Sequence, residues 1–520
     1  MIPYLKLTVA SILPAREIIQ SWAAAALVFS GMMFLFYCTH IISSKFHLVL
    51  KGISLLFLIA ALFSPCLIIG YYILSGHLLT ADIILTLFQT NLAEASSYIA
   101  DRGIFPWLNL LLFIAGIATL IIIALKNISF IPQKRKWILL YFLCMIFSIA
   151  HVTPRLSNFY VYEIIHSSFL TLQSFKEYTA DKESRLRHLQ SLSNLHIANQ
   201  AGGIYAVVIG ESETRDHMHA YGYKRENTPW LTSMKNDPGL LLFTHAYSNH
   251  THTVPALTYA LTEKNQYNQI PLQNAYSILE TAKAAGYSTY WISNQQKYGA
   301  WDTPISAIAS TADHEIWLNH NVGKQTKTSV YDEKLVEAIP DFSDKKDVLV
   351  IIHLMGNHGS YSDRYPNTFA KFDGTEKTID AYDNSILYTD FVLQKIYEKL
   401  STLNNFKALI YLSDHGEDVE HNYSHESTKF TWVMSRIPFF IYCSPRFQIT
   451  QPEIYQALST HRNDYWTNDL LYNSLISILG IEGAPHPELQ SDLALDSYHI
   501  APPQLTTLHG GKHIIDDPQY

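Results

Sequence analysis

The chain has 520 residues, which is long enough for more than one domain. Its formal net charge of −8 at pH 7 gives no support for nucleic-acid binding. Its composition is split, because residues 18–155 are apolar with few charges and the rest has the composition of an ordinary soluble protein. Of the four cysteines only Cys443 lies outside the apolar part, which excludes a disulfide within the soluble part.

Four stretches with few or no charges cover most of the first 154 residues, and each is about 20 residues long, the length that crosses a bilayer. They are residues 21–44, 52–75, 103–125 and 137–154. We predict a transmembrane domain over residues 1–154 with these four spans, and residues 2–20 are the candidate for a fifth. Buried core helices of a soluble protein are the alternative, but four such stretches are too many for one core.

The basic residues of the loops predict how these spans are oriented. The loop after the third span contains four basic residues and the loop after the first contains two, whereas the connection 76–102 carries three acidic residues against one arginine. The two basic loops are therefore expected in the cytoplasm. Everything from Arg155 onward is then expected in the periplasm or outside the cell.

Residues 155–200 are predicted to link the membrane part to the soluble part, with an exposed helix over 181–188. From residue 204 onward, short apolar runs alternate with helix-like segments, which predicts a doubly wound α/β domain over residues 201–520 with a mostly parallel sheet flanked by helices. The predicted strands are 206–210, 288–292, 348–353, 408–412 and 438–442. The predicted helices are 276–285, 379–400 and 469–479. The tail after Pro485 is interpreted as loop.

Polar residues follow three of these predicted strands, which are apolar on both faces as buried parallel strands are. The residues are Glu211, His358 and the pair Asp414 and His415. Ligands of open α/β sheets bind beyond the carboxyl ends of the strands, so these side chains are expected to converge there. Carboxylate and imidazole together suit zinc, and the sequence therefore predicts a zinc site. Taken singly, Glu211 could instead cap a helix, and a histidine could lie on the surface.

Three further residues are candidates for the same site. Thr253 is the second threonine of a Thr-x-Thr pattern that enters a helix, where backbone N–H groups and the helix dipole favour negative charge; an ordinary helix N-cap is the alternative. His425 could close a second metal site with His358, or it could be a surface histidine. His353 lies on a predicted buried strand, where a core histidine with satisfied hydrogen bonds is the simpler interpretation.

As an ordered set, these motifs resemble the alkaline phosphatase and sulfatase superfamily, and more closely its membrane-anchored phosphoethanolamine transferases from Gram-negative bacteria. The motifs are VVIGESETRDHMHAYGY at 207–223, HLMGNHG at 353–359 and SDHGE at 413–417. Residues 89–98 and 291–296 are similar to the subgroup that modifies the lipopolysaccharide core. The scarcity of cysteine also favours this subgroup over the lipid A branch, whereas the family's usual five spans exceed the four that are clear here.

The resemblance implies a role for each candidate residue. It assigns the first zinc ion to Glu211, Thr253, Asp414 and His415, with Thr253 as the nucleophile. It assigns the substrate phosphate or a second zinc ion to His358 and His425. It also implies substrate contacts near the headgroup, for which the candidates are Asn294, Gln296 and His353.

The reaction implied by the resemblance has two steps. Thr253 attacks the phosphorus of phosphatidylethanolamine and diacylglycerol leaves, and a hydroxyl or phosphate of the acceptor then takes phosphoethanolamine from Thr253. The implied acceptor is lipopolysaccharide, at a core sugar or core phosphate rather than at lipid A. The implied location is the Gram-negative inner membrane, with the catalytic domain in the periplasm.

Two other classes of function remain as alternatives. A phosphoglycerol transferase uses a similar threonine with a manganese-type site, and the residues do not reveal the headgroup. A sulfatase is disfavoured because residues 248–255 contain no cysteine to serve as its modified nucleophile. A membrane-anchored scaffold or sensor without activity is disfavoured because all six metal and phosphate positions carry suitable side chains.

Overall fold

The computed structural model describes most of the chain, in two compact units. The described residues are 26–27, 29–31, 33–34, 47–76, 79–81, 83–85, 103–126, 135–152, 160–296, 304–319, 330–375 and 377–520. The first unit comprises Met1–Leu87 and Tyr98–Leu172, and the second comprises Phe88–Ser97 and Gln173–Tyr520. The candidate site residues all belong to the second unit.

Apolar helices dominate the described part of the first unit. These are α1 (His47–Ser75), α2 (Ile104–Lys126) and α3 (Arg135–Val152), followed by α4 (Tyr160–Ala180), which begins in the first unit and ends in the second. The first three coincide with the predicted spans that begin at residues 52, 103 and 137. Within the described residues, one helical segment, Ile104–Ile123, is long and apolar enough to cross a membrane. The four-span topology therefore stays a prediction; residues 2–20 and 89–98 lie outside the described part, and 21–44 is described only in part.

The second unit is built on a seven-stranded sheet. The described strands of this unit are β1 (His196–Ile197), β2 (Ile204–Gly210), β3 (Leu240–Phe243), β4 (His245–Tyr247), β5 (Ser288–Gln296), β6 (His314–Asn319), β7 (Val348–His353), β8 (Phe406–Ser413), β9 (Phe439–Cys443), β10 (Tyr465–Thr467), β11 (Ile481–Glu482), β12 (Thr506–Thr507) and β13 (Lys512–His513). The order of strands in the seven-stranded sheet is β3-β9-β8-β2-β7-β5-β6. Its described helices are α5 (Lys182–Gln190), α6 (Pro229–Met234), α7 (Thr253–Ala260), α8 (Ile278–Ala285), α9 (Pro304–Ala309), α10 (Glu333–Ala338), α11 (Lys377–Ser401), α12 (Pro445–Thr450), α13 (Pro452–Thr460) and α14 (Leu471–Ile478).

The three strands that carry the candidate ligands are neighbours at the centre of this sheet. Strand β2 pairs in parallel with β7 on one side and with β8 on the other, as the apolar runs predicted. Strands β5 and β6 continue the parallel order, whereas β9 runs antiparallel to β8 and to β3. The prediction of a mostly parallel sheet is therefore confirmed, with one reversed strand.

Both faces of the sheet are covered by helices, which explains the unbroken apolar runs. Alternate residues of a strand face opposite sides. Accordingly Val207 packs in a core layer with α8 and α14, whereas Val208 packs in the opposite layer with α10 and α11. The result is a three-layer α/β/α sandwich. Polar residues follow the carboxyl ends of its central strands β2, β7 and β8, along one side of the sheet.

Two interpretations of less informative segments need correction. The helix predicted as exposed over 181–188 is α5, but its Arg185 is buried and forms an ion pair with Glu280 at 3.1 Å. The tail after Pro485 contains the β12–β13 hairpin and buries apolar side chains such as Leu505 and Ile514. Neither feature follows from local periodicity, since each depends on a partner far away in the chain.

The central strands predict a large stability effect. We expect Ile410→Ala in β8, where the side chain is fully buried, to lower the free energy of unfolding by about 2–5 kcal/mol, because the substitution leaves a cavity. The matched control is Ile449→Ala, since that side chain is 79% exposed, and it should change stability by less than about 0.5 kcal/mol. Urea unfolding of the detergent-solubilised chain followed by tryptophan fluorescence measures both; equal effects would contradict the core assignment.

Candidate active site and metal centre

The candidate site lies at the carboxyl ends of β2, β7 and β8, where hydrogen bonds between the strands continue into the loops. The Asp414 N–H donates to the Gly210 carbonyl at 3.2 Å, and the Asn357 N–H donates to the Glu211 carbonyl at 2.9 Å. The Asp414 Oδ1 in turn accepts from the Ser212 N–H at 3.1 Å. Three loops that are far apart in sequence are thereby held side by side, with Glu211 between the other two.

Four predicted ligands come together at this edge. The Thr253 Oγ1 lies 3.1 Å from the Glu211 Oε2 and 3.4 Å from the His415 Nε2. The His415 Nε2 lies 3.4 Å from both the Glu211 Oε1 and the Asp414 Oδ2. Ligand atoms of Glu211, Asp414 and His415 all lie within 4.8 Å of one another. One cation can therefore contact all of these side chains.

The electrostatics of this cluster favour a positive charge. Burial, and then the negative charge of Glu211, raises the pKa of Asp414 to about 7. Burial by itself lowers the pKa of His415, but Asp414 and Glu211 raise it to about 10. The Asp414 Oδ2 is buried and has no hydrogen-bond partner among the described residues. Two carboxylates in contact with an imidazole are a donor set that fits zinc.

Thr253 is the first residue of α7, and its hydroxyl points into the cluster. The N-cap residue is His252, which makes no side-chain capping hydrogen bond. The Thr253 hydroxyl instead donates to Glu211. The alternative interpretation of Thr253 as an ordinary N-cap therefore does not describe this helix.

A second group of possible ligands lies next to the first. It comprises His415, Glu417 and His425, whose ligand atoms also lie within 4.8 Å of one another. The His425 Nδ1 is 2.8 Å from the Glu417 Oε2, and the His358 and His425 ring centroids are 6.2 Å apart. The sequence alone predicted no specific role for Glu417, although it is the last residue of the SDHGE motif at 413–417.

The loop that carries His358 is held by a buried aspartate. The Asp332 carboxylate accepts from the backbone N–H groups of Met355 at 2.9 Å and Gly356 at 2.8 Å. Gly356 has φ +52°, and a Cβ there would lie 2.8 Å from the Glu211 backbone nitrogen. Only glycine allows this approach without strain, so the loop and Glu211 pack backbone to backbone.

The predicted headgroup residues on β5 are placed differently from one another. Asn294 is fully buried, and its amide donates to the Val330 carbonyl at 2.7 Å and the Asp332 Oδ1 at 2.8 Å. The Gln296 side chain lies outside the described part of the structure. The intervening Gln295 instead reaches the Glu211 Oε2 at 3.4 Å. No local signal separates Gln295 from Asn294, because alternation along a strand does not tell which of its two faces meets the site.

His353 is buried at the end of β7, as predicted, but its hydrogen bonds are not satisfied. Neither ring nitrogen has a hydrogen-bond partner among the described residues. Burial lowers its pKa to about 4, although the charge of Glu211 partly offsets this effect. Among the described residues, His353 is therefore not the core histidine with satisfied hydrogen bonds that the sequence suggested, and its ring lies beside Trp291 with ring centroids 5.7 Å apart.

Comparison with known proteins gives one family and a consistent set of relatives. The Sulfatase family model matches residues 204–480, more than half of the chain. The chain is 27% identical over 434 residues to phosphoethanolamine transferase EptC of Escherichia coli (strain K12), covering 74% of this chain and 72% of that protein. It is also 27% identical over 427 residues to phosphoethanolamine transferase CptA of Salmonella typhimurium, covering 74% and 73%.

Two solved structures have the same fold. The crystal structure of the C-terminal periplasmic domain of EptC from Escherichia coli, in complex with Zn, matches with a TM-score of 0.55 and 26% identity over 62% of this chain and 97% of that one. The integral membrane protein lipooligosaccharide phosphoethanolamine transferase A from Neisseria meningitidis matches with a TM-score of 0.56 and 17% identity over 90% and 98%. The second match extends the similarity of fold beyond the catalytic unit.

The geometry of the cluster predicts how metal binding depends on Glu211. Loss of a residue that only hydrogen-bonds to a metal ligand typically weakens metal binding by roughly 10–100-fold. We expect Glu211→Gln to weaken zinc binding by more than this, because the substitution removes a charged ligand. Glu213→Gln is the matched control, since Glu213 lies in the same segment and is equally buried but bonds with Tyr411. Zinc is measured by mass spectrometry of the purified full-length chain; equal zinc in both variants would contradict the assignment.

Proposed function

Since this chain belongs to the sulfatase family, we propose that it is a membrane-anchored, metal-dependent phosphoethanolamine transferase. One observation carries the proposal: the Thr253 hydroxyl lies 3.1 Å from Glu211, in a cluster with Asp414 and His415. This is the arrangement of a nucleophile with a metal centre. The names of the relatives EptC and CptA supply the transferred group.

The proposed metal site uses the chain's own donor set. Glu211, Thr253, Asp414 and His415 would hold one zinc ion. The His415 Nδ1 is 2.9 Å from the Gly416 carbonyl, which can only accept, so the Nε2 is the nitrogen that faces the ligands. When bound, zinc lowers the pKa of a coordinated hydroxyl and neutralises negative charge on phosphate oxygens. Support also comes from the zinc complex of the EptC periplasmic domain.

The first step in this proposal is attack by the Thr253 Oγ1 on the phosphorus of phosphatidylethanolamine. The new bond joins that oxygen to phosphorus, the bond to the diacylglycerol oxygen breaks, and diacylglycerol leaves with a proton. In the second step an acceptor oxygen attacks the same phosphorus, the bond from phosphorus to the Thr253 Oγ1 breaks, and the proton that the acceptor loses restores the Thr253 hydroxyl. Splitting the transfer in this way avoids bringing two lipid substrates together in one encounter.

His358 and His425 would bind the phosphate oxygens of the substrate or a second zinc ion. The Glu417 carboxylate holds the His425 Nδ1 at 2.8 Å, which leaves the Nε2 for a metal ion, a phosphate oxygen or a proton. Gln295 and His353 line the same edge and are our candidates for contacts with the headgroup. These groups would orient the phosphorus for attack from the Thr253 side.

We place the protein in the Gram-negative inner membrane with its catalytic unit in the periplasm. The predicted spans and the basic loops support this location, as do the periplasmic domain of EptC and the integral membrane protein of Neisseria meningitidis, which share this fold. The proposed acceptor is lipopolysaccharide, at a core sugar or core phosphate. The resemblance of residues 291–296 to the core-modifying subgroup and the single cysteine outside the apolar part support this choice.

Loss of the nucleophile should abolish transfer. We expect Thr253→Ala to remove the phosphoethanolamine mass increment from lipopolysaccharide, with lipid A and core analysed separately by mass spectrometry. The matched control is Thr251→Ala, because Thr251 lies two residues earlier and its buried hydroxyl has no hydrogen-bond partner among the described residues. This control should retain the increment.

Each outcome of this experiment decides one part of the proposal. The fraction that carries the increment identifies the acceptor. A glycerol phosphate increment would replace phosphoethanolamine as the transferred group. An increment that persists in Thr253→Ala would contradict the nucleophile assignment, and no increment with the intact chain would contradict the lipopolysaccharide acceptor.

Metal removal should stop the same reaction reversibly. We expect the full-length chain to lose transfer from phosphatidylethanolamine after a chelator has removed its metal in detergent. The reason is that the positive charge of the metal ion, which activates Thr253 in this proposal, is then missing. Zinc should restore transfer measured by thin-layer chromatography of a fluorescent donor. Restoration by manganese and not by zinc would contradict the zinc assignment.

A further inference from the structure

We propose that Asn468, together with Thr507 and His509 of the C-terminal tail, forms a brace that fixes the Thr253 segment at its distance from Asp414. These three are positioning residues, since they act through other residues on the reacting atoms. The inference rests on the proposed function in taking Thr253 as the nucleophile. It concerns residues outside the motifs that identified the site.

Asn468 bridges the two halves of the candidate site with one side chain. It is fully buried, and its Oδ1 accepts from the Asn249 backbone N–H at 2.8 Å and from the Asn249 Nδ2 at 2.6 Å. Its Nδ2 donates to the Asp414 carbonyl at 2.9 Å. Asn249 lies four residues before Thr253, and Asp414 is a candidate ligand. The amide group therefore connects the nucleophile segment directly to the metal-ligand segment.

The C-terminal tail holds the same segment from the other side. The Thr507 Oγ1 donates to the Ser248 carbonyl at 2.7 Å. The His509 N–H donates to the Asn249 carbonyl at 3.2 Å, and its Nε2 lies 2.9 Å from the Asn249 Oδ1. The His509 ring also stacks on Tyr259 in α7, with centroids 4.1 Å apart. The tail thus contacts both the segment before Thr253 and the helix that Thr253 begins.

The tail is itself anchored by a buried ion pair. The Asp517 carboxylate accepts from the Arg436 Nε at 2.8 Å and from the Tyr247 hydroxyl at 2.9 Å. Arg436 also pairs with Asp216 at 2.6 Å, in the segment that follows Glu211. Asp517 is only 3% exposed, so this anchor is shielded from solvent. The last residues of the chain are therefore attached to Tyr247 at the end of β4 and, through Arg436, to the segment that follows Glu211.

The brace matters because in-line attack tolerates little displacement of the nucleophile. A shift of about 1 Å in a reacting group can cost about 100-fold in rate. Five residues, 248–252, lie between the end of β4 at Tyr247 and the start of α7 at Thr253, and they belong to no strand or helix. Side-chain hydrogen bonds, rather than a strand or helix, hold the residues in between.

The first test compares two buried asparagines in the full-length chain in detergent. Asn468→Ala should lower the kcat for transfer at least about tenfold and leave the KM for phosphatidylethanolamine unchanged. The matched control is Asn265→Ala, because Asn265 is 2% exposed and also makes three hydrogen bonds, with Glu488, Tyr267 and Asn268. Equal kcat values in the two variants would overturn the proposal.

The second test uses a milder change that preserves folding. Thr507→Val removes the hydroxyl bonded to Ser248, whereas Thr506→Val removes a neighbouring hydroxyl bonded to Gln266. Only Thr507→Val should lower kcat, and Thr507→Ser should restore it by restoring the hydroxyl. A purely structural role predicts instead that thermal stability and kcat fall together in both valine variants, which would overturn the proposal.

Hydrogen exchange separates failure of the brace from failure of the proposed function. In Asn468→Ala, exchange of the amides in residues 247–253 should be at least about tenfold faster than in Asn265→Ala, because the Asn249 N–H loses its acceptor. Unchanged exchange would overturn the brace even if transfer is intact. If the intact chain transfers no phosphoethanolamine, the proposed function fails, and the exchange result alone decides on the brace.

Discussion

Two buried carboxylates, Glu211 and Asp414, face the same histidine at the ends of two adjacent parallel strands, and the rest of the catalytic unit is arranged around that contact. Burying two like charges together is unfavourable unless a cation is shared between them. In the proposed function zinc is that cation, so metal binding and the stability of this sheet edge are linked. In the same proposal, the charge of this cation also activates Thr253.

Around this contact, the structure relies on side chains that bond to backbone rather than on regular elements. Asp332 holds the loop of His358, and Asn468 holds the segment of Thr253. Because these loops lie outside strands and helices, the buried side chains that bond to their backbone contribute strongly to holding the loops in place.

Much of the fold could be predicted from the sequence, because its strongest signals are local. The apolar runs that end at Gly210 and Ser413 indicated buried parallel strands, and the polar residues after them indicated a shared edge. The β5 residues were harder to interpret. Asn294 and Gln295 are adjacent and similar in chemistry. Their side chains lie on opposite faces of the strand, and only the tertiary structure shows that it is Gln295 that reaches Glu211.

By itself, the sequence determined the class of the fold, the edge of the sheet that carries polar residues and the residue types available for a metal, since periodicity and strand ends are properties of neighbouring residues. Only the tertiary structure decided that Glu417 bonds to the His425 Nδ1, that His353 has no hydrogen-bond partner among the described residues, and that Asn468 and Thr507 bond to the segment before Thr253. These contacts join residues up to 259 positions apart. Their existence depends on how loops cross in space, which no local pattern records.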